Sequence, residues 1–214
     1  MRIPFILFAL LFQFSIYAQT VPELFPSNDR KAGYFGYYLK DGTNVVKPQF
    51  CSASYNTDGY YLVSKAEHEL DDYGNRKERH LPNTEKFGLL NDKGQFVIDF
   101  ENDYDFFGIT KGVIYVKKNN FYGVVNSRNE IVVPIENDEL DIQNQEIIIA
   151  KKKNKFGVIN QKNKIIIPFI YHEIHLSIDR KEIYAENKDY RYYFTIDGKL
   201  LKKEKNKAIL KNKS

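Results

Sequence analysis

Lys155-Phe156-Gly157-Val158-Ile159-Asn160-Gln161-Lys162-Asn163-Lys164-Ile165-Ile166-Ile167-Pro168 sets out a strand, a tight turn and a second strand. An aromatic residue and a glycine open an alternating, β-branched stretch, which has the period of a strand and lacks the three-to-four spacing of a helix. The polar segment closes on Asn163, a residue type that tolerates positive φ, as a hairpin turn with a bulge requires. Ile165 to Ile167 form the second strand, and Pro168, which cannot donate to a ladder, is expected to end it.

The same phrase recurs at 86–94 and 121–129, and more loosely at 34–42 and 191–198. Gly88, Gly123 and Gly157 are 35 and 34 residues apart, and Tyr192 takes the glycine slot another 35 on. Gly36 lies 52 residues before Gly88, so the first unit carries an insertion, placed at 66–85 and read as an exposed, charged loop. The turn closes on Gly42, Gly94, Asn129, Asn163 or Gly198, each six residues after the glycine slot. Pro48, Pro134 and Pro168 follow the second strand in three copies, and Asp99 stands there in another. Between copies lies a further apolar strand, at 60–65, 113–118, 146–151 and 182–186.

One unit is therefore a three-stranded antiparallel meander, which cannot bury its apolar face alone and must stack on its neighbours. This predicts an all-β chain of tandem repeats, stacked as an open array or an incomplete propeller-like arc. A propeller blade uses about forty residues and four strands, so the open array is preferred, with the degenerate first and last copies as caps. A glycine recurring beside an aromatic residue reads as a packing device that lets a ring or backbone approach closely.

The phrase at 155–168 resembles the bacterial WG repeat, whose usual form is Lys-Trp-Gly, two hydrophobic residues, Asn or Asp, a turn ending in Gly, and a strand ending in Pro, followed by a Tyr-Asp pair. The resemblance extends over residues 32–201. Phe35, Phe87, Tyr122 and Phe156 occupy the tryptophan slot, and the chain has no Trp; the Tyr-Asp pair survives as Tyr104-Asp105 and, approximately, Tyr171-His172. Such a resemblance implies a bacterial, generally exported protein that mediates binding and has no shared catalytic centre.

The ends of the chain carry different signals. Arg2 and the apolar run from Ile3 to Phe12 read as a signal peptide over 1–18, cut after Ala18; Gln13 and Ser15 interrupt the run before it reaches the length of a membrane span. A linker over 19–31 precedes the repeats, and a Lys-rich tail over 202–214 follows them. The chain carries +4 overall, but seven lysines oppose Glu204 alone from Lys199 onward, leaving a mildly acidic body. Such a body argues against a groove that tracks phosphates, so nucleic acid is not an expected partner. The expected location is periplasmic or extracellular.

Chemistry-bearing motifs are sparse. The single cysteine, Cys51, excludes an intramolecular disulfide and reads as a small apolar group. His172 and His175 are three apart, a spacing that in a strand sends the imidazoles to opposite faces. His68 and His80 flank acidic residues without the spacing of a calcium loop. The sequence contains no nucleophile elbow, P-loop, dinucleotide fingerprint or zinc helix. No catalytic residue, metal or cofactor is therefore assigned. The tyrosines of the first unit, Tyr37, Tyr55, Tyr60, Tyr61 and Tyr73, are the candidate ligand contacts, because tyrosine commonly serves half-exposed at binding surfaces. The leading expectation is an exported, non-catalytic module that binds a protein. The alternatives are a glycan or cell-wall module using the tyrosines, and a hydrolase with its site in the 66–85 insertion.

Overall fold

The computed structural model describes residues 22–29, 33–74, 76–81 and 83–206. The expected signal peptide and the tail beyond residue 206 lie outside them. The described residues are all-β. The first sheet comprises β1 (Phe25–Asp29), β2 (Tyr34–Tyr38) and β3 (Asn44–Phe50). The second comprises β4 (Ser52–Ala53) and β5 (Tyr60–Lys65), then, after the separate hairpin of β6 (His68–Leu70) and β7 (Arg76–His80), β8 (Lys86–Asn91) and β9 (Phe96–Ile98). The third runs β10 (Phe106–Thr110), β11 (Val113–Lys118), β12 (Phe121–Val125) and β13 (Ile131–Asn137). The fourth runs β14 (Glu139–Ile142), β15 (Ile148–Lys152), β16 (Lys155–Ile159) and β17 (Ile165–Tyr171). The fifth runs β18 (Glu173–Leu176), β19 (Glu182–Glu186), β20 (Tyr190–Thr195) and β21 (Leu200–Lys205).

The repeats and the open stacking agree with the sequence, but four of the five sheets have four strands rather than three. The added strand is the first of each, β4, β10, β14 or β18. These strands have two to five residues, and β14 and β18 mix charge with apolar residues, as in Glu139-Leu140-Asp141-Ile142, so they read as polar connection. Three expected boundaries also move. The supposed linker contributes β1, held by pairing with β2 and by burial of Leu24 beside it. The insertion is the β6–β7 hairpin rather than an unpaired loop. The lysine-rich segment begins as edge strand β21, where Lys203 stands 3.8 Å over the Tyr190 ring and 5.2 Å over Tyr192. Its lysines suit an edge strand because charge there discourages further pairing.

The motif glycine explains why the prolines do not end their strands. Pro48, Pro134 and Pro168 lie inside β3, β13 and β17, at the outer edge of each sheet, where a missing N–H leaves no ladder bond unmade. The register slips opposite Gly36, Gly123 and Gly157, so the proline strand bulges toward the glycine. A Cβ on Gly123 would lie 2.7 Å from the Val133 carbonyl, and one on Gly157 would lie 2.8 Å from the Phe169 ring. Opposite Tyr192, where the glycine is absent, β20 and β21 pair without that slip.

The turns follow one chemical rule. Asn91, Asn126 and Asn160 each accept two backbone N–H bonds on Oδ1, from the residues two and four ahead, at 2.9–3.0 Å. The turn-closing residues Gly42, Gly94, Asn129, Asn163 and Gly198 all have positive φ. Beyond β3, β13 and β17 a single residue, Cys51, Asp138 or His172, leads directly into the next sheet. Each donates its backbone N–H to that sheet's second strand, at Ser64, Lys151 and Glu186 respectively.

Four apolar cores lie between the five sheets in succession. Tyr37 and Phe50 meet Tyr61 and Leu90; Leu89 and Ile98 meet Ile114 and Val116; Val124 and Val133 meet Ile148 and Ile159; Val158 and Ile167 meet Ile183 and Phe194. The middle sheets are thus covered on both faces, which is why their strands read as continuous apolar runs.

Candidate functional site

Burial removes two of the five candidate tyrosines from any ligand. Tyr37 and Tyr61 are fully buried between the first and second sheets, with rings edge-to-face at 5.0 Å. Their hydroxyls are satisfied internally: Tyr37 donates to the Ser54 carbonyl at 2.9 Å, and Tyr61 accepts from the Leu24 N–H at 3.0 Å. Burial pushes the Tyr37 hydroxyl pKa well above the ordinary tyrosine range. Alternation places Tyr60 and Tyr61 on opposite faces, but both faces of this sheet are covered, and Tyr60 packs half-buried against the next core. Tyr55 and Tyr73 are exposed, in the 54–59 loop and the hairpin respectively. The five therefore do not form one surface.

The histidines and the cysteine fall into structural positions. Among the described residues, no three His, Cys, Asp or Glu side chains gather as a metal site. His172 and His175 both border the groove between the fourth and fifth sheets, because His172 sits at the bend between strands. His175 contacts Glu173 at 2.7 Å. Cys51 is half-buried rather than buried. Its Sγ accepts the Ala66 N–H at 3.3 Å and lies 3.4 Å from His68 Nε2, whose Nδ1 meets the Lys77 carbonyl at 2.9 Å.

Three exposed apolar side chains instead meet around the motif aromatic of the second sheet. Leu62, Phe87 and Phe106 are 40%, 44% and 52% exposed, and all three border one groove of about 430 Å³ between the second and third sheets. Phe100, Tyr104 and Phe107 extend its apolar wall, while Glu85, Glu101 and Asp105 supply acid, and Lys86 pairs with Glu101 at 3.2 Å.

Two local departures from the repeat open this groove. Asp99 replaces the proline, β9 stops at Ile98, and residues 99–105 replace the single-residue crossing seen elsewhere. Asn102 props that loop by donating to the Phe87 carbonyl at 3.2 Å, and the Asp105 carboxylate accepts the Asn119 N–H at 2.7 Å. On the other wall the Leu62 side chain stands open while its backbone pairs with Ser54, donating to the Ser54 hydroxyl at 2.8 Å and accepting the Ser54 N–H at 2.9 Å.

The second departure concerns what lies over the ring. Lys117 pairs across the strands with Tyr122 and stands 5.4 Å over it; Lys151 does the same over Phe156 at 5.2 Å. The cross-strand partner of Phe87 is Ser64, which is buried and bonded to the Ser52 hydroxyl at 2.7 Å. Among the described residues no cation covers Phe87. Sequence reasoning missed Phe87 as a contact because its phrase looks like the others; the signal was Ser64 standing where the neighbours have lysine.

No curated protein sequence matches the chain. Among solved structures it is similar to Hsv2 of Kluyveromyces lactis, at 10% identity and a TM-score of 0.38, covering 81% of this chain and 57% of that one. It is also similar to a eukaryotic initiation factor (11%, TM-score 0.35, 86% and 63%) and a putative gluconolactonase (14%, TM-score 0.28, 82% and 68%). The chain spans about three-fifths of the length of the Hsv2 structures. The family model of the WG containing repeat matches residues 156–176, which run from the motif aromatic through the proline strand into β18. Over those residues the chain is similar to the WG repeat, with phenylalanine at Phe156 in the tryptophan slot.

Proposed function

We propose that this protein is an exported, non-catalytic binding module that holds an apolar segment of a protein partner in the groove around Phe87. The observation that carries the reading is the convergence of Leu62, Phe87 and Phe106, all exposed, on one concavity. Scattered exposed apolar residues are ordinary, whereas a clustered set walled by polar groups marks an interaction surface. The groove combines apolar rings with a charged wall of Glu85, Lys86, Glu101 and Asp105, so that apolar contact and orienting polar groups meet in one concavity. Export is supported by Arg2 and the apolar run that follows it.

The test uses the full chain as immobilised bait against proteins released from the source cells. A specific protein is expected to be captured, to be lost with Leu62→Asp, and to be retained with Tyr73→Ala, which alters an exposed tyrosine outside the groove. Capture of polysaccharide in place of protein, or loss with Tyr73→Ala alone, overturns the reading.

A further inference from the structure

The repeats themselves indicate what fits over the Phe87 ring, which no cation covers among the described residues. In the third and fourth sheets the motif aromatic is covered by a lysine from the adjacent strand, Lys117 over Tyr122 and Lys151 over Phe156. Lys151 is also held by the Glu139 carboxylate at 2.6 Å, so one ammonium is gripped by a ring face and an acid together. In the second sheet Ser64 stands where the lysine is elsewhere, yet the groove wall carries three acids, Glu85, Asp105 and Glu101, of which Glu101 is paired with Lys86 at 3.2 Å. A ring face attracts a cation through its quadrupole, and nearby carboxylates add to that attraction.

Taking the groove as the binding site argued above, we propose that it receives a cationic side chain, lysine or arginine, of the partner over the Phe87 ring. The partner segment supplies the charge that the neighbouring repeats supply from within. This chain is then a module for extended segments carrying a cation among apolar residues: the apolar part lies on Leu62 and Phe106, and the charge lies between Phe87 and the acids.

The probe is n-propylguanidinium, titrated into the full chain while the aromatic ring protons are followed by NMR. The Phe87 ring and Leu62 methyl signals are expected to shift, saturating in the millimolar range, while Tyr122 and Phe156 stay still under their own lysines. Phe87→Leu, which keeps apolar volume but removes the ring face, should abolish the shift at Leu62. Glu85→Gln combined with Glu101→Gln should weaken binding several-fold. Lys151→Ala should make Phe156 respond as Phe87 does. Equal response at Phe87 and Phe156 in the parent, no response at either, retention of the Leu62 shift in Phe87→Leu, or a silent Phe156 in Lys151→Ala would each overturn the proposal. A silent probe with partner capture still dependent on Leu62 rejects the cation and keeps the groove; a responsive probe with no captured protein keeps the cation site and rejects the protein partner.

Discussion

In the fourth sheet, Ile149, Val158 and Ile167 stand side by side on the face that meets the next sheet; in the fifth, the matching row is Tyr184, Tyr193 and Lys202. The first row is buried in the core between the two sheets. The second row turns away from that core: Tyr184 and Tyr193 meet edge-to-face at 5.1 Å, Tyr193 donates to Glu204 at 2.9 Å, and Lys202 stands over its ring at 5.5 Å. Arg191 sits in the motif aromatic slot and pairs with Glu186. One strand plan thus serves two surroundings, and only the row facing outward is rewritten. A repeat array needs such a terminal unit, because an apolar outer face would invite further stacking.

The largest effect expected from this contrast comes from placing one polar residue in both rows. Val158→Asn buries an amide with no partner and should cost about 3 kcal/mol, whereas Tyr193→Asn faces solvent and should cost no more than about 1 kcal/mol. Urea midpoints of the two variants measure the difference. Equal losses would mean that the fifth sheet is packed on both faces.

The glycine slot gives the next effect. Gly157→Ala pushes a methyl into the Phe169 ring and the Ile167 carbonyl, and should cost about 1–3 kcal/mol. Tyr192 fills the same slot in the fifth sheet and packs against Tyr171 at 5.3 Å. There Tyr192→Gly should cost about 2 kcal/mol by losing the ring. A Tyr192→Gly variant as stable as the parent would show that the slot itself prefers glycine, whatever strand lies opposite.

The turn residue should separate the two sheets by less. Asn163 already has φ of 61°, so Asn163→Gly should change stability by no more than about 0.5 kcal/mol. Gly198 has φ of 88°, and a Cβ there would run into the Ile166 carbonyl of the preceding sheet. Gly198→Asn should therefore cost about 1–2 kcal/mol, read from the same urea transitions.

Much of this architecture is legible from local chemistry. The repeat spacing, the strand after each glycine and the positive-φ turns depend on residues close in sequence, and they appear where Phe156, Gly157 and Asn163 put them. The first strand of the four-stranded sheets was hidden because its two to five residues pair with a neighbour whose identity the sequence does not announce; Glu139-Leu140-Asp141-Ile142 becomes a strand only beside β15. Tyr37 and Tyr61 misled for a related reason. Tyrosine suits both a surface and a core with a polar partner, and the partners here are 17 and 37 residues away. The groove was hidden more deeply. Besides the loop over 99–105, Phe87 differs from Phe156 in the residue across the strand, a difference that becomes visible once register sets Ser64 against one and Lys151 against the other.

The smallest effect concerns alkaline pH and the tyrosines on the two sides of the fifth sheet. Tyr171 lies in the core between the fourth and fifth sheets, where burial first and the neighbouring Tyr192 second raise its hydroxyl pKa above the ordinary value. A raised tyrosine pKa means that the folded state resists ionisation more than the unfolded chain does. Its contribution is therefore complete below about pH 10 and is lost as pH rises beyond that value. Tyr171→Phe keeps the ring against Tyr192 and Phe194 but removes the ionisation, so the fall in urea midpoint above about pH 10 should become shallower. The Tyr184 hydroxyl pKa is raised as well, by desolvation first and then by the Glu182 and Asp179 carboxylates, but it lies on the solvent side of the sheet, where water and counter-ions screen those charges, so Tyr184→Phe should leave the fall closer to the parent's. If the two variants flatten the alkaline limb equally, the two faces of the fifth sheet are electrostatically alike, and its reading as a polar cap fails.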